Sequence, residues 1–130
     1  MSCRETCGEL MRLLNIFAAL TGACAFVALA YHAHSGAGET DPIIFAALAQ
    51  LSAAAANLAI ANRVGRLNLI GGAVLLAGAN IFAGVIQLTA FVGEHPFHAL
   101  APVGGSLTIL GWLVLAFAKP SSASDRAHAA

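Results

Sequence analysis

Four histidines stand in two short pairs, and they are the first residues to ask about chemistry. His32 and His34 flank Ala33, and His95 and His98 close the stretch His95-Pro96-Phe97-His98. Imidazole binds divalent cations through a neutral ring nitrogen and exchanges protons near neutral pH. Glu39, Asp41 and Glu94 lie in the same two segments, with no Lys or Arg among them. The dense ligand spacings of known zinc sites are missing. His32, His34, His95 and His98 are therefore weak metal candidates, set against the plainer expectation of a wetted polar rim.

The second group is five amides, Asn15, Gln50, Asn57, Asn80 and Gln87, each inside a long apolar run. An amide surrounded by hydrocarbon has to find a partner, and hydrogen bonds between helices are the usual answer. The plainer expectation is helix glue. The sharper one is a polar cleft that binds or conducts a lipid headgroup, a quinone or a small solute. No acid or base lies within the interior of a run, which argues against a proton-coupled transporter. No nucleophile stands beside a base. Gly71-Gly72 and Gly104-Gly105 lack the strand, lysine and spacing of a phosphate-cradling loop, so they read as packing glycines. No catalytic residue and no cofactor is expected, and the chain reads as a non-enzyme.

The elements that must carry these residues follow from composition. The chain has 130 residues, zero formal net charge, 59% apolar residues and 9% charged ones. Soluble domains carry about 25% charged residues, and one with so few would expose large apolar patches. The balanced charge leaves no electrostatic footprint for nucleic acid. Four apolar runs emerge, at about 10–31, 43–61, 67–92 and 99–118, each near the ~20 residues that cross a bilayer core. They form one membrane domain, between a polar segment 1–9 and a tail 119–130. Thr21-Gly22-Ala23-Cys24 resembles a cleavage site, but the apolar character continues through Ala25 to Ala30, so the first run is expected to stay as a span. Asp41 is placed to cap the second helix, whose first turn suits Pro42.

Small residues recur at spacings that let helix backbones approach in lipid. They are Ala49 and Ala53, Ala55 and Ala59, Ala73 and Ala77, and Ala79 and Ala83, with Gly72, Gly78 and Gly84 in the third run. The fourth run adds Gly104, Gly105, Gly111 and Trp112. Arg4, Arg12, Arg63, Arg66, Lys119 and Arg126 fall on one side only if there are four crossings, and cytoplasmic loops carry the excess of Lys and Arg. The expectation is an all-α integral membrane four-helix bundle, antiparallel and up-down-up-down, with both termini cytoplasmic. Its expected role is that of a small accessory, scaffold or assembly subunit in the bacterial inner membrane. Its expected partners are the lipid bilayer and other membrane subunits or a second copy, with no nucleic acid.

Several stretches resemble a known family. Thr21-Gly22, followed by Leu29-Ala30-Tyr31-His32-Ala33-His34, is similar to the Gly-Ala-Phe-Gly-Ala-His that ends the first span of the YgdD-type small four-span inner-membrane proteins, a family with a eukaryotic small transmembrane relative. His34 falls on the family's histidine. Ile81-Phe82-Ala83-Gly84 resembles its Leu-Phe-Ser-Gly. Ala101-Pro102-Val103-Gly104-Gly105 and Gly111-Trp112 resemble its Thr-Pro-Val-Gly-Gly and Gly-Trp. The resemblance runs from about Asn15 to Ala118. It departs at His32, where the family has glycine, at Gln50, where histidine is usual, and at Gln87, which replaces tyrosine; the first loop is also shorter. The resemblance implies four spans in the inner membrane and implies no reaction.

Overall fold

The structure is a computed structural model that describes residues 3–36, 41–61, 63, 65–93 and 96–118. Four α-helices follow one another: α1 (Cys3–Ser35), α2 (Pro42–Ile60), α3 (Arg66–Val92) and α4 (Leu100–Phe117), the last entered through a short 3-10 turn, Pro96–Ala99. All four are long and apolar enough to cross a membrane, so the chain is a multi-pass helical membrane protein. The tail 119–130, with Lys119 and Arg126, lies outside the described residues.

The helices begin and end where local chemistry dictates. Asp41 caps α2, its side chain accepting from the Ile43 amide at 2.9 Å, and Pro42 follows as the first helical residue. Gly93 ends α3 with a φ of 83°, a backbone conformation that costs glycine little. Both boundaries of α1 differ from expectation. The segment 31–35, expected as loop, continues α1, and so does most of the polar segment before Leu10. An unbroken helix of 33 residues is about 50 Å long, so α1 is longer than the ~30 Å hydrocarbon core it must cross.

Large apolar side chains face outward. Phe17, Phe26, Phe45, Phe91 and Phe117 are all exposed, and the interior is built mostly of alanine. One buried cluster is Ala18, Ala53, Leu75, Leu76 and Ala79; a second is Ala25, Ala28, Ile43 and Ala47. The reversal fits a lipid solvent. Burying a leucine there gains no hydrophobic free energy, so close backbone approach decides what goes inside.

α2 packs between α1 and α3, α1 and α3 meet along a narrow strip, and α4 docks on α3. The α3–α4 contact is the most extensive in the molecule, and glycine makes it possible. A Cβ on Gly111 would come within 2.5 Å of the Leu75 backbone. One on Gly78 would strike the Thr108 amide, and one on Gly104 would strike the Phe82 amide. Gly71 receives Leu115 and Val114. Contacts thus climb α3 as they descend α4, which makes the pair antiparallel. Gly71 with Gly78, and Gly104 with Gly111, are seven residues apart, a spacing that keeps residues on one face of helices packed at a shallow angle.

Candidate functional site

The amides expected to act as glue lie mostly in one row. Gln50 and Asn57 are seven residues apart on α2, and Asn80 and Gln87 are seven apart on α3, so each pair stays on one helix face. The Gln87 Nε2 donates to Gln50 Oε1 at 2.8 Å. The Gln50 Nε2 reaches Asn80 Oδ1 over a longer 3.4 Å. The Asn80 Nδ2 donates to Thr21 Oγ1 at 2.9 Å and to the Leu76 carbonyl at 2.8 Å. Three helices are therefore tied by one polar ladder that runs about 10 Å along the bundle axis. Thr21 is the one member of it that the sequence did not mark. A hydroxyl in a span ordinarily bonds its own helix, and nothing local sets this one apart.

Asn57 does not join the ladder. It is fully buried, and its Nδ2 donates to the Ala53 carbonyl at 2.9 Å. Its Oδ1 has no hydrogen-bond partner among the described residues, and the same is true of Oδ1 on Asn15 and on Asn68. Asn68, also buried, was absent from the expected set because it stands only two positions beyond Arg66, where a polar residue reads as part of the helix entrance.

A lateral groove opens between α1 and α3. It holds about 440 Å³ and is lined by Leu14, Phe17, Leu20, Thr21, Cys24, Ala73, Leu76, Ala77 and Asn80. Its walls are apolar, and its polar floor is the Thr21–Asn80 end of the ladder. A second cavity of about 580 Å³ lies at the end of the bundle away from Arg12, Arg63 and Arg66. Tyr31, Ser35, Asp41, Thr89 and His98 are among its lining residues.

The histidines are dispersed by the helix. His32 and His34, two residues apart on α1, project about 200° from each other, and His34 is exposed while His32 is half-buried. The His32 Nδ1 lies 3.4 Å from the Asp41 Oδ2, within ion-pair distance when the ring is protonated, though not aligned as a hydrogen bond. His98 lines the cavity and His95 lies outside the described residues. Among the described residues, no three side chains of the His, Cys, Asp and Glu types converge as a cation would require.

The expected packing residues divide in the same way. Gly78, Ala79, Ala83, Gly104 and Gly111 are buried against neighbouring helices. Gly105 is half-buried, with the Phe82 ring edge 3.9 Å from where its Cβ would sit. Ala73, Ala77, Gly84 and Trp112 are exposed, and a methyl group on Gly84 would meet nothing within 4 Å. Gly71 and Gly72 carry more of the packing than these four. The heptad spacing of Gly71 with Gly78 is a signal for Gly71; nothing in the spacing marks Gly72.

These features define a class: a multi-pass membrane bundle with an alanine core, an internal amide ladder and a groove open to the side. No family model matches the chain, and no solved structure matches it.

Proposed function

We propose that the chain is a small non-catalytic membrane subunit that assembles with a larger membrane protein or with copies of itself. The observation that carries this reading is the one-sided docking of α4. It packs on α3 alone to any extent, and within α4 only Gly104 and Gly111 are buried. A helix held by one neighbour presents most of its circumference to the outside. Gly105, Ile109, Trp112 and Ala116 form one outer stripe on it, with a small residue at each end, the residue type that lets helices approach closely in lipid. Gly84 on α3 is an exposed small residue with nothing within 4 Å of an added methyl group among the described residues, and it suits the same use.

The host compartment in this reading is a bacterial inner membrane. Arg12, Arg63 and Arg66 all lie at one end of the bundle, which the bias of Lys and Arg assigns to the cytoplasm together with both termini. The resemblance to the YgdD-type proteins supports the same placement. Extraction from native membranes in a gentle detergent, followed by native mass measurement, tests the proposal. The expected result is a complex heavier than one protomer with bound lipid. A mass of one bare protomer overturns it.

A further inference from the structure

We propose that the groove between α1 and α3 is a binding site for a lipophilic carbonyl compound of the quinone class, whose oxygen accepts the hydroxyl proton of Thr21. The direction of the ladder carries the argument. The Leu76 carbonyl can only accept, so the Asn80 atom 2.8 Å away must be its amide nitrogen. That same nitrogen faces Thr21 Oγ1, so Thr21 must accept as well. Asn80 then presents Oδ1 to the Gln50 nitrogen, and Gln50 presents Oε1 to the Gln87 nitrogen. Every bond in the row points the same way, from α3 to α2, back to α3 at Asn80 and across to α1. The row ends on a hydroxyl whose proton has no acceptor among the described residues.

The other hydroxyls show how unusual this is. Ser35, Ser52, Thr89, Ser106 and Thr108 each donate to a carbonyl three or four residues back on their own helix. Thr21 does not, although it is buried to 6% exposure and lines the groove. An unmade donor in hydrocarbon is costly, and bonds aligned head to tail polarise one another, which strengthens the last donor. The groove therefore offers one strong donor in an apolar slot. Its 440 Å³ falls within the range of small-molecule sites.

Depth selects the ligand. Thr21 lies at the middle of the α1 span Gly8–Ser35, so it sits near the bilayer midplane. The ester carbonyls of glycerophospholipids lie at the edge of the hydrocarbon core, about 15 Å away. An acceptor that reaches Thr21 must belong to a molecule whose polar group enters the hydrocarbon itself, as an alkylated quinone does.

The test uses the full chain in nanodiscs, with a decyl-substituted dimethoxybenzoquinone as probe and decylbenzene as a probe without an acceptor. The quinone is expected to bind, with its carbonyl infrared band lowered by the hydrogen bond. Thr21→Val should weaken it about fivefold, the worth of one neutral hydrogen bond, and return the band to its free position. Thr21→Ser should keep both. Ala77→Trp fills the groove from its exposed wall and should abolish binding while leaving the ladder intact. Decylbenzene should bind no better to the wild-type chain than the quinone binds to the Thr21→Val variant. Equal binding of the two probes, an unshifted carbonyl band, or quinone binding that survives Ala77→Trp would overturn the proposal.

Discussion

The side-chain oxygen of Asn57 occupies the space that a side chain at Gly72 would need: a methyl group there would lie 2.5 Å from Oδ1 and 3.0 Å from Ile60 Cδ1. Asn57 cannot swing away. It is fully buried, and its nitrogen is held by the Ala53 carbonyl. The missing Cβ also brings the Gly72 backbone beside an oxygen with no hydrogen-bond partner among the described residues, and an aliphatic C–H facing such an oxygen contributes weakly to its stabilisation.

Gly72→Ala is therefore expected to destabilise the bundle by about 1–3 kcal/mol, the usual range for overpacking. Adding Asn57→Ala should remove most of that cost, because the obstructing oxygen goes with it. Unfolding of the four variants of this cycle in mixed detergent, followed by far-ultraviolet circular dichroism, measures the coupling. Additive effects would mean that the two residues do not obstruct each other.

Two glycines on the third and fourth helices should respond in opposite directions. Gly111→Ala forces the methyl into the Leu75 backbone and must push α4 off α3, since backbone cannot rotate out of the way as a side chain can. Gly84→Ala meets nothing within 4 Å and should raise helix stability by up to about 1 kcal/mol. Distance measurement between labels on α3 and α4, made beside the unfolding curves, should show separation only in the Gly111 variant.

The amide ladder should prove modest in energy. Gln50 makes both central links, and interhelical hydrogen bonds in membrane bundles contribute about 0.6 kcal/mol each. Gln50→Leu is expected to cost about 1 kcal/mol, and Gln87→Leu about half of that, on the same scale. A loss of several kcal/mol at Gln50 would show that the ladder binds the helices far more strongly than bonds of this kind do.

Asp41 has two roles that two substitutions can separate. One carboxylate oxygen caps α2 through the Ile43 amide, and the other faces His32. Asp41→Ala should cost about 1 kcal/mol through the lost cap. Asp41→Asn keeps a capping oxygen and should cost only a few tenths, since the charge attraction to His32 at a partly exposed site is weak. Thermal unfolding of the two variants makes the comparison.

Much of this molecule was legible in order of physical strength. The four spans follow from run length, because no other backbone arrangement of this composition satisfies its amides in lipid. The cap at Asp41 follows from the Asp-Pro pair ahead of an apolar run. The amides at 50, 57, 80 and 87 read as glue, because an amide in hydrocarbon must be bonded to something. Partner choice was not legible. Asn57 shares the face and spacing of Gln50, yet it bonds its own helix while Gln50 joins two side chains of α3.

By itself the sequence determined how many times the chain crosses, where each crossing lies and which polar residues are carried into the apolar interior, since these depend on hydrophobicity summed along a segment. Only the tertiary structure decided that Gly78 meets α4 while Gly84 does not, that α4 rests chiefly on α3, and that Thr21 ends a row of donors at the floor of a groove. Gly78 and Gly84 have alike neighbours in sequence, but six residues of helix turn them about 240° apart. Which of those directions holds a neighbour depends on the packing of distant helices, and no local pattern records it.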